Sequence, residues 1–79
     1  MKFNPAPKDP IVVNPLIQNW VSYILKEKDI NSLEMEDITT LSDCLFTEMA
    51  EQENSYGKTE LYETMEDLLY QIDYYYYGL

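Results

Sequence analysis

Between Leu61 and Tyr76 the apolar residues return at the period of a helix, and this constrains the fold more than any other feature of the chain. At about 100° per residue, Leu61, Met65, Leu68, Leu69, Ile72, Tyr75 and Tyr76 fall within an arc of about 120°. That arc is expected to face a core. Opposite it lie Glu60, Glu63, Glu66, Asp67 and Asp73, with Tyr70, Tyr74 and Tyr77 among them and Tyr62 at the border. The stretch therefore reads as a helix over 59–77, capped by Thr59, broken by Gly78, and acidic and aromatic on its outer side.

Two earlier stretches carry the same period. Asn14-Pro15 is a helix start, since asparagine caps and proline at the first helical position loses no needed N–H. A helix over 14–28 follows, with Leu16, Ile17, Trp20, Tyr23 and Ile24 as a broad apolar face, Val21 and Leu25 at one edge, and Trp20 as its core anchor. Asn31 with Glu34 three residues on is a capping-box variant, and Ile30 is placed to staple onto Met35, so a second helix is expected over 31–53. Its inner stripe is Ile38, Leu41, Leu45 and Met49, with Met35, Ser42 and Phe46 at the margin. Glu36, Asp37, Asp43, Glu48 and Glu51 project over the opposite arc. Asn54-Ser55-Tyr56-Gly57-Lys58 supplies the connection to the third helix.

Ahead of these, prolines at positions 5, 7 and 10 predict an extended arm over 1–13. Pro7-Lys8-Asp9-Pro10 has the spacing of a proline-recognition motif, although a plain linker is the commoner meaning of such a match. Ile11-Val12-Val13 is expected to lie as an apolar strap across the helices. The expected fold class is all-α, a small three-helix bundle over 14–79 with an extended proline-rich N-terminal arm. A chain of 79 residues has room for one core, which contributes roughly 3–5 kcal/mol net.

Residue types narrow the function. Histidine and arginine are absent and Cys44 is the only cysteine, so no general base activates its thiol and no intrachain disulfide forms. Helical di-metal sites need Glu-x-x-His, and no acidic stretch has the glycine turn of a calcium loop. No enzymatic activity, cofactor or specific metal site is expected. No apolar run is long enough for a signal or a membrane span, and the solitary thiol suits a reducing compartment. The expected location is the cytoplasm, that of the host cell if the protein is viral.

Charge is the strongest pointer to partners. The formal net charge is -10, unevenly placed. Up to Lys28 the chain holds four lysines against two acids, whereas from Asp29 onward thirteen acids face only Lys58. Such a field repels nucleic acid and anionic membranes and attracts basic protein surfaces. Ordinary helices mix their charges, because ion pairs four residues apart contribute a few tenths of a kcal/mol each, and here nearly every such pairing is declined. Carboxylates three or four residues apart recur about every 4.5–6 Å along a helix, roughly comparable to the ~3.4 Å phosphate rise of one DNA strand. Tyrosine adds a large apolar body with a polar tip, a type enriched at interface hot spots.

In size, charge and helicity the chain resembles the short acidic proteins that phages make against host nucleic-acid machinery: anti-restriction proteins, anti-CRISPR proteins and RNA-polymerase inhibitors. The resemblance implies a DNA-mimic-like inhibitor in the basic groove of a host nucleic-acid-binding protein, and assigns no residue roles. The candidate partner-binding residues are Glu36, Asp37, Asp43, Glu48, Glu51, Glu63, Glu66, Asp67, Tyr70, Asp73, Tyr74 and Tyr77. A solvated helix face is the plain alternative for the carboxylates. The tyrosines have two alternatives, a second core face under the arm or a contact in a symmetric dimer. A helical adaptor or oligomerisation module using an exposed tyrosine face is therefore the competing reading, with the protein a monomer or weak dimer.

Overall fold

In the computed structural model, which describes residues 9–78, Asn14 opens the first helix by accepting the Leu16 N–H on its side-chain oxygen at 2.9 Å. Helix α1 spans Pro15–Leu25, α2 Met35–Tyr56 and α3 Glu60–Ile72, and α3 runs on into a π-helical turn over Asp73–Tyr77. A 3-10 turn, Ile30–Ser32, lies between α1 and α2. The described residues thus form the expected three-helix bundle with an extended segment before it. Prolines 5 and 7 and the first half of the Pro7–Pro10 motif lie outside the described residues, as does Leu79.

The first helix is shorter than its apolar pattern suggests. It stops at Leu25 because Lys26 and Glu27 both adopt the left-handed conformation, φ 54° and 64°. The Glu27 N–H then closes back onto the Ser22 carbonyl at 2.9 Å, satisfying an end group that the helix leaves free. The expected capping box on Asn31 does not form either. Asp29 caps the 3-10 turn through the Asn31 N–H at 3.0 Å, and Glu34 precedes α2 without a side-chain cap. Leu33 is buried between the two elements, whereas Met35, the residue expected to staple onto Ile30, is 62% exposed.

Asn31 is used elsewhere. Its carboxamide oxygen accepts the Ile11 N–H at 2.6 Å, and its nitrogen donates to the Ile11 carbonyl at 3.4 Å. Gln71 on α3 does the same for Val12, at 2.9 Å and 3.1 Å. An amide side chain carries one acceptor and one donor group, so two such residues replace the neighbouring strand that the Ile11–Val13 strap lacks. Ile11 is buried as a result, a fourth layer of contact over the bundle.

This strap explains a rotation of α1. Its apolar residues cover an arc of about 200°, wider than two helical neighbours bury. The buried seam is Ile17, Val21 and Leu25, with Trp20 and Ile24 half-buried. Leu16 and Tyr23, expected on the inner face, are exposed. Val21 and Leu25 share a cavity wall with Ile11, Val12 and Val13, so the strap draws that edge of α1 inward. The core stripes of the other helices follow their sequence pattern: Ile38, Leu41, Leu45 and Met49 on α2, and Met65, Leu68, Leu69 and Ile72 on α3, are buried.

Helix α2 runs through Asn54, Ser55 and Tyr56, three residues past the expected limit, and breaks only at Gly57 with φ 80°. Thr59 caps α3 by accepting the Tyr62 N–H at 3.3 Å. Gly78, φ 72°, ends the π turn.

Candidate interaction surfaces

The third helix carries tyrosines with two different fates. Tyr75 donates its hydroxyl to the Asn31 carbonyl at 3.2 Å. Tyr76 donates to the Ile30 carbonyl and accepts the Leu33 N–H at 3.0 Å. The two rings meet edge-to-face with centroids 4.9 Å apart. Together they fasten the end of α3 to the 3-10 turn. Burial pushes the Tyr76 phenol above its ordinary pKa, against the Leu33 N–H bond, which favours the ionised form.

Tyr70 and Tyr74, by contrast, are 64% and 58% exposed. Tyr77 is exposed too, but its hydroxyl donates to the Met35 sulfur at 3.4 Å. That contact joins the start of α2 to the end of α3, as their short Gly57–Thr59 connection and an antiparallel pairing require. It also brings the α2 margin beside the outer tyrosines. Phe46 lies eleven residues from Met35, about 20° away on a helix, and is exposed as well. Met35 thus joins Tyr77 at the surface, and both it and Phe46, which the sequence pattern placed at a core margin, are exposed.

The carboxylates divide between two flanks. On the α1 flank of α2, Glu36 and Asp37 line a cleft with Ile24, Leu25, Lys26 and Lys28. Asp43 and Glu48 line a second groove with Trp20, Tyr23 and Ile24. Glu51 is exposed on the outer arc of α2. Glu63 and Asp67 are exposed on α3, Glu66 and Asp73 half-buried, all within the arc that carries Tyr70 and Tyr74. Four of the α2 acids therefore lie beside α1, while the α3 acids share an arc with Tyr70 and Tyr74. The sequence pattern had merged them, because a helical projection says which side of its own helix a residue takes and nothing of how two helices are turned to each other.

Few of these acids are neutralised from within. Lys28 pairs with Asp37, its ammonium 3.0 and 3.2 Å from the two carboxylate oxygens, and this is the single ion pair among the described residues. The hydrogen bond and the charge of Asp37 hold the Lys28 pKa above its usual value. Lys58 sits 5.7 Å over the Tyr62 ring, a cation–π distance. Asp67 accepts from Gln71 at 3.0 Å and Glu48 from Gln52 at 3.5 Å, both neutral donors. Among the described residues no three ligating side chains gather around a possible metal position, and no helix is long and apolar enough to cross a membrane. Cys44 is half-buried beside Asp43.

Tyr23, Phe46 and Met35 are surface features that helical projection placed on the core face or at its margin, whereas Trp20 packs against the core as expected with one side left half-exposed. One signal was present in the chain: an apolar arc of about 200° on a short helix exceeds what a three-helix packing covers, so one of its edges must remain outside. Compared with protein-family models, curated proteins and solved structures, the chain matches none.

Proposed function

We propose that the protein is a non-catalytic acidic inhibitor of viral type, which occupies the basic nucleic-acid-binding groove of a host protein in the cytoplasm. Targets of the anti-restriction, anti-CRISPR or transcription-inhibitor kind all present such a groove. One observation carries the reading: of thirteen acids from Asp29 onward, only Asp37 is held in an ion pair among the described residues. Unpaired like charge destabilises a small fold, so a surface kept in that state is accounted for by a partner that supplies the counter-charge. Charge drives the encounter, and the exposed Tyr70 and Tyr74 supply apolar contact at short range.

The experiment is capture of host proteins on the immobilised chain, eluted with a salt gradient and with duplex DNA or RNA. The expected partner is a nucleic-acid-binding protein that nucleic acid displaces, with affinity falling at least about tenfold between roughly 50 and 200 mM salt. Binding that ignores salt while nucleic acid stays on the partner would exclude the reading.

A second reading rests on the apolar part of the same surface. Phe46, Met35, Tyr70 and Tyr74 are each exposed, large side chains of the kind that a helical adaptor or oligomerisation face uses. Sedimentation over a range of concentrations separates the two, since a stable dimer that buries these residues favours the adaptor.

A further inference from the structure

The groove between α1 and α2 differs from the acidic fields because it has an apolar floor. Ile24 and Cys44 form part of that floor, Trp20 and Tyr23 stand along one wall, and Asp43 and Glu48 along the other, around a volume of about 360 Å³. Trp20 is anchored in the core on one side and half-exposed on the other, and Tyr23 is 83% exposed. No lysine is among the residues that line the groove: Lys28 is committed to Asp37, Lys58 lies over Tyr62, and Lys26 lines a neighbouring hollow with Tyr23 and Glu27. Two aromatic side chains and two carboxylates therefore line a space whose own lining includes no cation.

We propose that this groove receives an arginine side chain of a basic partner protein, with the guanidinium between the aromatic wall and the carboxylates and its aliphatic stem on Ile24 and Cys44. The chemistry selects the occupant. A guanidinium is planar, stacks on aromatic faces, donates to carboxylates through a fixed fork, and sheds water more readily than an ammonium does. Lysine would satisfy the charge but not the stacking. At about 360 Å³ the groove has room for a guanidinium and its aliphatic stem. The inference rests on the reading that the partner is basic, and it adds a second short-range anchor, on the α1–α2 flank, to the contact made by Tyr70 and Tyr74.

Trp20 is the only tryptophan in the chain, so its fluorescence reports the groove directly. The probe is a blocked short peptide with one central arginine between leucines, compared with the same peptide carrying lysine or citrulline there. The arginine peptide is expected to change Trp20 emission saturably, with the citrulline peptide about tenfold weaker, as for loss of a charged hydrogen bond. D43N/E48Q is expected to weaken the arginine peptide by about the same factor, and Tyr23→Ala, at an exposed position, by about threefold. E63Q/D67N removes two charges from α3 and is expected to leave it within about twofold. Equal binding of the citrulline peptide, equal weakening by the two double variants, or no saturable change in Trp20 would overturn the proposal. If the peptide fails while a nucleic-acid-displaced partner is still captured, the groove is wrong and the inhibitor reading stands. If the peptide binds and no such partner is found, the reverse holds.

Discussion

Tyr74 and Tyr75 are neighbours in one helical run, yet one is open to solvent and the other holds the backbone of a distant turn. The same contrast separates Tyr70 from Tyr76. Residue type does not distinguish them, and position on the helix does: Tyr75 and Tyr76 follow the Leu68–Ile72 stripe inward, where their hydroxyls meet the free carbonyls of Ile30 and Asn31. A buried phenol needs a partner for its hydroxyl, and the 3-10 turn needs partners for its carbonyls, so the two satisfy each other. On the outer side the hydroxyls of Tyr70 and Tyr74 are left to water, and their rings are available to another molecule. One run of tyrosines thereby serves as a structural clasp on one side and a contact surface on the other.

The contrast is broken most severely at Tyr76. Replacement by Ala removes a packed ring and two hydrogen bonds, and is expected to cost about 3 kcal/mol in urea unfolding, close to the whole stability of so small a core. Tyr76→Phe isolates the hydroxyl and is expected to cost about 1–2 kcal/mol. A smaller loss, about 1 kcal/mol, is expected from Asn31→Ala, which frees the Ile11 backbone from its carboxamide. Exposure of the strap to protease in that variant is the second readout. At the outer positions, Y70A/Y74A is expected to move stability by less than about 0.5 kcal/mol per residue while weakening partner binding. Equal stability losses from the inner and the outer substitutions would erase the distinction between clasp and surface.

Alkaline titration sharpens the comparison without replacing the ring. Burial raises the Tyr76 pKa above its ordinary value near 10, so the folded chain keeps this proton to higher pH than the unfolded chain does. Its stabilising contribution is complete below about pH 10 and is lost as pH rises through the raised folded value. Unfolding followed across that limb is expected to be less steep in Tyr76→Phe than in the parent chain.

Much of this was legible from local pattern. The caps at Asn14 and Thr59, the breaks at Gly57 and Gly78, the inner stripes of α2 and α3, and the inward turn of Tyr75 and Tyr76 all depend on a few adjacent residues and the helical period. The charge imbalance after Lys28 is likewise a property of composition alone. The chain by itself therefore determined a three-helix fold with an acidic second half and an outer tyrosine face.

What only the tertiary structure decided has a common physical cause, competition among distant partners for the same group. Asn31 had the sequence of a helix cap and became a backbone partner for Ile11, because an extended strap at the surface must satisfy its amides somewhere. The left-handed pair Lys26–Glu27 carries no glycine to announce it, and arises where the chain turns back after Leu25. Which part of the wide α1 arc is buried was settled by the strap packing on Val21 and Leu25, which left Tyr23 outside beside Asp43 and Glu48. The period of a helix assigns each residue an angle, and the neighbours decide which angles are inside.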